Sequence, residues 1–109
     1  MSLLSGGPKV YMLMTYDVEA SRTSKFRKLL RRYLNHDQYS VFTGDITEAK
    51  AIQLRRELSQ LMVPGDRVTE VTATNRHNID VIHMVKDDSG KGEARREPVS
   101  DHKRDFSVV

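Results

Sequence analysis

A single carboxylate at the end of an apolar stretch is the first feature of this sequence that could do chemistry. Asp17 closes the segment Lys9 to Asp17, KVYMLMTYD, and a strongly basic segment follows it. Mg²⁺ binds oxygen ligands and often needs only one or two carboxylates from the protein. One Asp per chain is a thin metal site, but a twofold axis that joins two copies would make it adequate. The alternative is that Asp17 only turns or caps the chain at a strand end.

A cationic segment follows this acid. Six cations and no acid fall within eleven residues: Arg22, Lys25, Arg27, Lys28, Arg31 and Arg32. Apolar residues recur with helical spacing between them, which predicts a helix over Arg22 to Leu34 with one buried stripe. The cationic face is suited to the phosphate backbone of a nucleic acid. The alternative is a solvated face whose long side chains extend away from the core.

The remaining polar residues give weaker signals. The chain has no cysteine, which excludes disulfides and cysteine zinc sites, and its four histidines do not have metal-ligand spacing. His36 is a weak candidate for phosphate contact or proton transfer. We interpret Asp45 as a turn residue and Asp80 as a strand-edge residue. Ser40 has no evident base beside it, so nucleophilic catalysis has no support.

The elements that would position these residues form one domain, residues 9–85. After the first strand and helix we predict a strand over Gln38 to Gly44, a helix capped by Thr47, and strands over Arg67 to Thr74 and Ile79 to Val85. This order fits an α+β, ferredoxin-like sandwich with two helices on one face of a mostly antiparallel sheet. That fold needs one more strand, and a kink at Gly44 is the expected source.

Residues 86–109 differ in composition. Six cations and six acids stand among almost no apolar residues, which predicts a flexible charged tail, with Phe106 to Val109 as a possible terminal strand. The net charge of +3 therefore belongs to the preceding domain. No apolar run reaches the length of a membrane span and the N-terminus does not resemble a signal peptide, so a soluble cytoplasmic protein is expected.

Two of these stretches together resemble a known family. The strand MLMTYDV with its basic helix, followed by Gln38-Tyr39-Ser40-Val41-Phe42, is similar to the pattern of the CRISPR-associated Cas2 family, in register over roughly residues 9–85. The resemblance implies a ferredoxin-like fold and a symmetric homodimer. It implies that Asp17 of both subunits holds Mg²⁺, with Mn²⁺ as an alternative, and acts in catalysis, supported by Tyr16, Ser40 and Phe42.

The same resemblance implies a biological role. Family members are metal-dependent endonucleases on single-stranded RNA or duplex DNA. They also serve in spacer acquisition, where they bridge two dimers of the CRISPR integrase, Cas1. A C-terminal strand commonly completes the partner's sheet, which suits Phe106 to Val109 or Ile79 to Val85. Leu34, His36 and Asp37 depart from the usual pattern, so the family's phosphate-contacting arginines are not carried over to this chain directly.

Three functions follow as hypotheses. The first is a magnesium-dependent phosphodiesterase built on Asp17 from two subunits. The second is a non-catalytic DNA-binding scaffold in the spacer-acquisition complex. The third is a ferredoxin-like dimer that binds a small ligand or a protein, which requires the motif match to be chance.

Overall fold

The computed structural model of the chain describes residues 7–86, 89–90 and 92–98. Its elements in chain order are the strands and helices β1 (Lys9–Asp17), α1 (Thr23–Leu30), β2 (Asn35–Gln38), β3 (Val41–Thr47), α2 (Glu48–Leu61), β4 (Arg67–Ala73), β5 (Ile82–Val85) and β6 (Arg95–Pro98). Single 3₁₀ turns precede α1 and follow β4. No helix in these described ranges is long and apolar enough to cross a membrane.

Four strands form an antiparallel sheet in the order β2-β3-β1-β4. The connections through α1 and α2 each skip one strand, and the right-handedness of such crossovers places both helices on the same face. This is the predicted ferredoxin-like arrangement, and β1 is its central strand. Met12 of β1 faces Gly44 of β3 on one side and Thr72 of β4 on the other.

The two faces of β1 have different surroundings because successive side chains of a strand alternate. Met12, Met14 and Tyr16 join the core with residues of both helices. On the other face, Tyr11 is buried beside Arg76, whose guanidinium lies 5.6 Å from the ring centroid. Burial raises the pKa of Tyr11.

The helices follow the sequence pattern closely. Phe26, Leu29, Leu30 and Leu34 are all buried, as the apolar stripe predicts. The α-helix ends at Leu30, and residues 31–33 form a turn, so the predicted helix is longer than the observed one. The side chain of Thr47 accepts a hydrogen bond from the backbone N–H of Lys50 at 3.2 Å and caps α2, as predicted.

The expected kink at Gly44 is wrong. The chain turns instead at Tyr39 and Ser40, and the extra strand is β2, which lies before the predicted strand rather than after it. Polar residues with weak strand preference form β2, so its pairing with β3 overrides local propensity. Gly44 lies inside β3, where a Cβ atom would be 3.4 Å from Leu34 Cδ2, so the position favours glycine by close packing.

The C-terminal region contains a hairpin. β5 is shorter than the predicted strand Ile79 to Val85 and pairs antiparallel with β6. β6 lies within the segment that we predicted to be flexible, and charged residues dominate it, which is why composition did not reveal it. Met84 of β5 is strongly exposed. Phe106 to Val109 lies outside the described residues.

Candidate nucleic-acid and metal site

Asp17 is the last residue of β1 and its side chain is exposed. It makes no hydrogen bond or ion pair within the described part of the chain. Together with Arg27 of α1 and with Tyr39 and Ser40 of the β2–β3 turn it lines an open pocket of about 350 Å³. The fold therefore brings the strand-end acid, one cation of the basic helix and the Gln38–Phe42 motif to one place, although they are distant in sequence.

Ser40 is fixed in this pocket by β1. Its hydroxyl lies 3.1 Å from the hydroxyl of Thr15, two residues before Asp17. This contact ties the β2–β3 turn to the end of the central strand. Ser40 therefore positions the turn, and among the described residues no histidine or carboxylate makes a hydrogen bond to its hydroxyl.

Tyr16 and Phe42 support the pocket from the core. Both side chains are buried, and their ring centroids lie 6.2 Å apart. Phe26 lies 5.5 Å from Tyr16 on the helix side. The hydroxyl of Tyr16 donates to the carbonyl of Thr23 at 3.5 Å, at the start of α1. These residues hold the strand end, the helix start and the turn together, and Tyr16 also lines the pocket.

His36 connects three parts of the site. Its ring stacks on Phe42 at 4.5 Å between centroids, its Nε2 lies 2.6 Å from the carbonyl oxygen of Tyr39, and its Nδ1 lies 3.4 Å from a guanidinium nitrogen of Arg31. Because a carbonyl only accepts, Nε2 carries the proton and Nδ1 is free to accept from Arg31. His36 thus orients a cation and a turn, a role different from the phosphate contact or proton transfer that the sequence suggested.

Five of the six predicted nucleic-acid contacts divide into two groups. Arg27 and Arg31, one helical turn apart, face the Asp17 pocket and His36, respectively. Three others line a separate groove between α1 and α2, together with Leu29, Glu57, Gln60 and Leu61: Lys25, Lys28 and Arg32. Arg32 donates to Glu57 at 3.0 Å, and Tyr33 also donates to this acid, which lowers the pKa of Glu57. Because side chains three to four positions apart share one face of a helix, the two groups lie on different sides of α1. The number of cations in the sequence does not show this separation.

Arg22 has a different environment from the other five. Its guanidinium pairs with the carboxylate of Asp66 and donates to the carbonyl of Leu61 at 2.7 Å. Its donors thus join the start of α1 to the turn after α2. The structure places Arg22 in a scaffold contact, so its donors are engaged within the chain.

Arg76 also has a structural role, and the sequence analysis did not identify it. Arg76 is buried and donates to Asp45 at 2.6 Å, across the helix-free face of the sheet. Asp45 lies within β3 rather than in a turn, so that interpretation of Asp45 is wrong. Arg76 lies among polar residues in the sequence, so nothing in the local sequence predicts that it is buried. Its position over the Tyr11 ring results from the fold.

The donor set of one chain fits a magnesium ion in part. A hard cation needs oxygen ligands, and the pocket offers the exposed carboxylate of Asp17 and the hydroxyl of Ser40. The residues that the structure describes hold no cluster of three or more potential ligands. Asp66 lines a neighbouring pocket with Asp17, but Arg22 engages its carboxylate. A metal site of ordinary ligand number therefore requires atoms from outside one chain.

Comparison with known proteins decides the family. The model of the family CRISPR-associated protein Cas2 matches residues 10–79, which include all but the first residue of β1, both helices, the β2–β3 turn and β4. The chain belongs to the Cas2 family. This confirms the resemblance of the strand and turn motifs, and it removes the hypothesis that their match is chance.

Individual relatives agree. A protein of Haloferax volcanii named CRISPR-associated endoribonuclease Cas2 is 39% identical over 69 residues, 63% of this chain and 80% of the relative. Proteins of the same kind from Thermodesulfovibrio yellowstonii and Methanosarcina acetivorans are 40% and 38% identical, over 48% and 49% of this chain and 59% and 61% of their own length. The prediction of a nuclease is confirmed at this level, since these Cas2 relatives carry that name.

Solved structures support the fold. A crystal structure of a Cas2 protein superposes with a TM-score of 0.65 at 30% identity and covers 78% of this chain and 95% of its own. A hypothetical protein, TT1823, from Thermus thermophilus superposes with a TM-score of 0.56 at 25% identity and covers 83% and 98%. The α+β architecture predicted from the sequence is therefore confirmed, while the homodimer stays a prediction.

Proposed function

We propose that this Cas2 protein is a magnesium-dependent endonuclease that cleaves a nucleic-acid strand at a site made by two copies of Asp17. The observation that carries the proposal is the pocket in which Asp17, Arg27 and Ser40 meet. An exposed acid with no partner in the described part of the chain is available to a metal ion, and an adjacent arginine is available to a phosphate. The endoribonuclease names of the relatives support RNA as the substrate.

The residues of the chain have separate tasks in this proposal. Arg27 binds a phosphate oxygen and holds the backbone of the strand against the pocket. Ser40 and Thr15 fix the turn beside the strand end. Asp17 and its symmetry mate would hold the metal ion, which would supply Lewis-acid chemistry at the phosphate.

The homodimer is part of the same proposal because one chain offers too few ligands. The helix-free face of the sheet supports it. On this face, Leu13 of β1 lies between Thr43 of β3 and Val71 of β4. Thr15 of β1 lies between Val41 of β3 and Thr69 of β4. Leu13 is only half-buried, and Val71 is 41% exposed at the middle of β4. Packing this face against its copy would bury these apolar side chains and bring two β1 strands together.

The experiment that tests the proposal compares the wild type with Asp17→Asn in cleavage of a labelled single-stranded RNA during a Mg²⁺ titration. Asn keeps the size of the side chain and removes its charge. We expect cleavage to rise with Mg²⁺ in the wild type and to fall by at least a hundredfold in the variant, which is about 2.7 kcal/mol in the barrier. Equal activity of both proteins would point to a contaminating nuclease and reject the proposal.

A second function is favoured by the same cationic surface. Membership of the Cas2 family and an acid-free cationic helix support a scaffold that binds duplex DNA and bridges integrase dimers in spacer acquisition. The Asp17→Asn variant separates the two functions. Loss of spacer acquisition with loss of cleavage supports the nuclease role in acquisition, whereas intact acquisition by the non-cleaving variant supports the scaffold.

A further inference from the structure

Tyr39 carries an aromatic ring that is exposed to solvent. Its side chain is 85% exposed, and in the part of the chain that is described it makes no hydrogen bond and no ring contact. Exposed single apolar residues are common on proteins and by themselves mean little. The backbone of Tyr39 and its neighbours distinguish it from such residues.

The backbone of Tyr39 has φ = +51°, the only positive φ of a non-glycine residue in the described ranges. Tyr39 is the first residue of the two-residue connection between β2 and β3, a position at which hairpins favour Gly, Asn or Asp because φ is positive. A bulky side chain there is unfavourable for the backbone. The fold therefore tolerates a ring at a position where glycine would be better for stability.

The turn that carries this ring is held firmly. The carbonyl of Tyr39 accepts a hydrogen bond from His36 Nε2 at 2.6 Å, and the His36 ring is stacked on buried Phe42. The hydroxyl of the next residue, Ser40, contacts Thr15 at 3.1 Å. The ring is thus presented to solvent by a turn that is anchored to the core on both sides, which lowers the entropy lost when a ligand binds.

The surroundings of Tyr39 are cationic. Tyr39 and Arg27 line the same pocket, and His36 links the Tyr39 carbonyl to the guanidinium of Arg31. An exposed ring beside two arginines is complementary to one ligand in particular, a strand whose phosphates meet the cations while an unpaired base stacks on the ring. A duplex keeps its bases stacked inside and has no free base face to offer.

We propose that Tyr39 is a base-stacking platform that selects an unpaired nucleobase, of RNA or DNA, next to the Asp17 pocket. The inference rests on the proposed function, since it assigns the class of strand that the pocket takes. Every base has a π-face, so the platform distinguishes unpaired from paired strands and tolerates any sequence.

The test measures binding by the full chain in EDTA, which prevents cleavage. Two labelled strands of equal length and charge serve as probes, an oligouridylate and its abasic ribose-phosphate counterpart. We expect Tyr39→Gly to weaken binding of the oligouridylate by roughly 5- to 100-fold, while Tyr39→Phe binds as the wild type does. Binding of the abasic strand is expected to be the same in all three proteins.

Folding does not confound this comparison, because glycine suits φ = +51° and the lost ring is exposed. Tyr39→Asn, which also tolerates this φ, serves as a second ring-free variant. The sequence contains no tryptophan, so Tyr39→Trp provides a unique fluorophore. We expect its emission to be quenched by the oligouridylate and not by the abasic strand.

Several results would overturn the inference. Unchanged oligouridylate binding in Tyr39→Gly, or equal weakening for both strands or for a duplex, would reject stacking while leaving nucleic-acid binding intact. A change of oligomeric state in Tyr39→Gly would assign the ring to an interface between copies. If the wild type binds neither strand, the proposed function fails together with the inference.

Discussion

The guanidinium of Arg22 pairs with the carboxylate of Asp66, 44 residues further along the chain. The side chains are only 18% and 5% exposed, and Asp66 also accepts from the backbone N–H of Val63 at 3.0 Å. The pair joins the start of α1 to the turn after α2, and Asp66 lines, together with Asp17, the pocket that neighbours the candidate site. Arg22 therefore supports the site indirectly, by joining these two elements of the fold.

This pair predicts how stability depends on pH. The Arg22 hydrogen bond, and then the Val63 N–H, lower the pKa of Asp66. A carboxyl whose pKa is lower in the folded state stabilises the fold above the ordinary Asp pKa, and this contribution is lost as the pH falls through the lowered value. We expect Asp66→Asn to lower the melting temperature at pH 6, and the difference from wild type to shrink from about pH 4 downward.

Thermal melts of both proteins between pH 2 and pH 7 measure this difference. Asn can still accept from Val63, so the variant removes mainly the charge. Glu19→Gln, which removes an exposed acid nearby, is the matched control and should melt like the wild type throughout. An Asp66→Asn difference that is constant over the whole pH range would contradict the assignment.

Phe42 lies in the sequence motif of the family, and we predict that its role is packing. Its side chain is fully buried and supports both Tyr16 and His36. Phe42→Ala should lower the free energy of unfolding by about 3–5 kcal/mol. Phe42→Leu, which keeps most of the apolar volume, should lose less stability and retain cleavage per folded molecule. Denaturant unfolding and RNA cleavage measure the two effects. Loss of cleavage in fully folded Phe42→Leu would contradict a role in packing alone.

The two groups of cations on α1 give a prediction with an internal control. Arg27→Glu with Arg31→Glu reverses two charges beside the pocket and His36. Lys25→Glu with Lys28→Glu makes the same change in net charge on the groove side of the same helix. We expect the first pair to weaken single-strand binding and to reduce the slope of log affinity against log salt by roughly 0.7 for each lost contact.

Salt titrations of binding, with circular dichroism to verify folding, measure the effect. The groove-side pair should keep a slope close to that of the wild type. Equal losses in both double variants would mean that only the total charge matters, and the separation into two groups would then have no functional meaning.

Much of this fold could be predicted because local patterns agree with the final packing. The apolar stripe from Phe26 to Leu34 and the cap at Thr47 specify the helices, and the central strand is clear from its apolar run. β2 and β6 could not be predicted, since they are polar strands stabilised by their partners. Their residues carry little strand preference of their own.

The candidate site was predicted unevenly for a related reason. Asp17 and the cations were identified from residue type, because an acid at a strand end and a cluster of cations can be recognised in the sequence alone. The roles of Arg22 and His36 depend on partners distant in sequence or on ring stacking, which only the folded chain supplies. Tyr39 was part of the motif, but its positive φ and its exposure are properties of the turn.

The helix-free face of the sheet gives a prediction on assembly. Leu13→Asp or Val71→Asp would replace an apolar side chain of this face with a charge, and we expect either variant to shift a dimer to the monomer and to lose cleavage. Ile52→Asp is the matched control, since Ile52 is 53% exposed on α2, on the opposite side of the sheet. Light scattering measures the mass. Dimers of unchanged stability in the sheet variants would place the interface elsewhere.

The central claim is that two copies of Asp17 form one site. Its most direct test is RNA cleavage by a heterodimer of one wild-type and one Asp17→Ala subunit, purified through a different tag on each subunit. The account predicts magnesium-dependent cleavage at the background level of the Asp17→Ala homodimer, while a wild-type dimer with the same two tags is fully active. Half of the wild-type activity in the heterodimer would contradict it, because each chain would then hold a complete site.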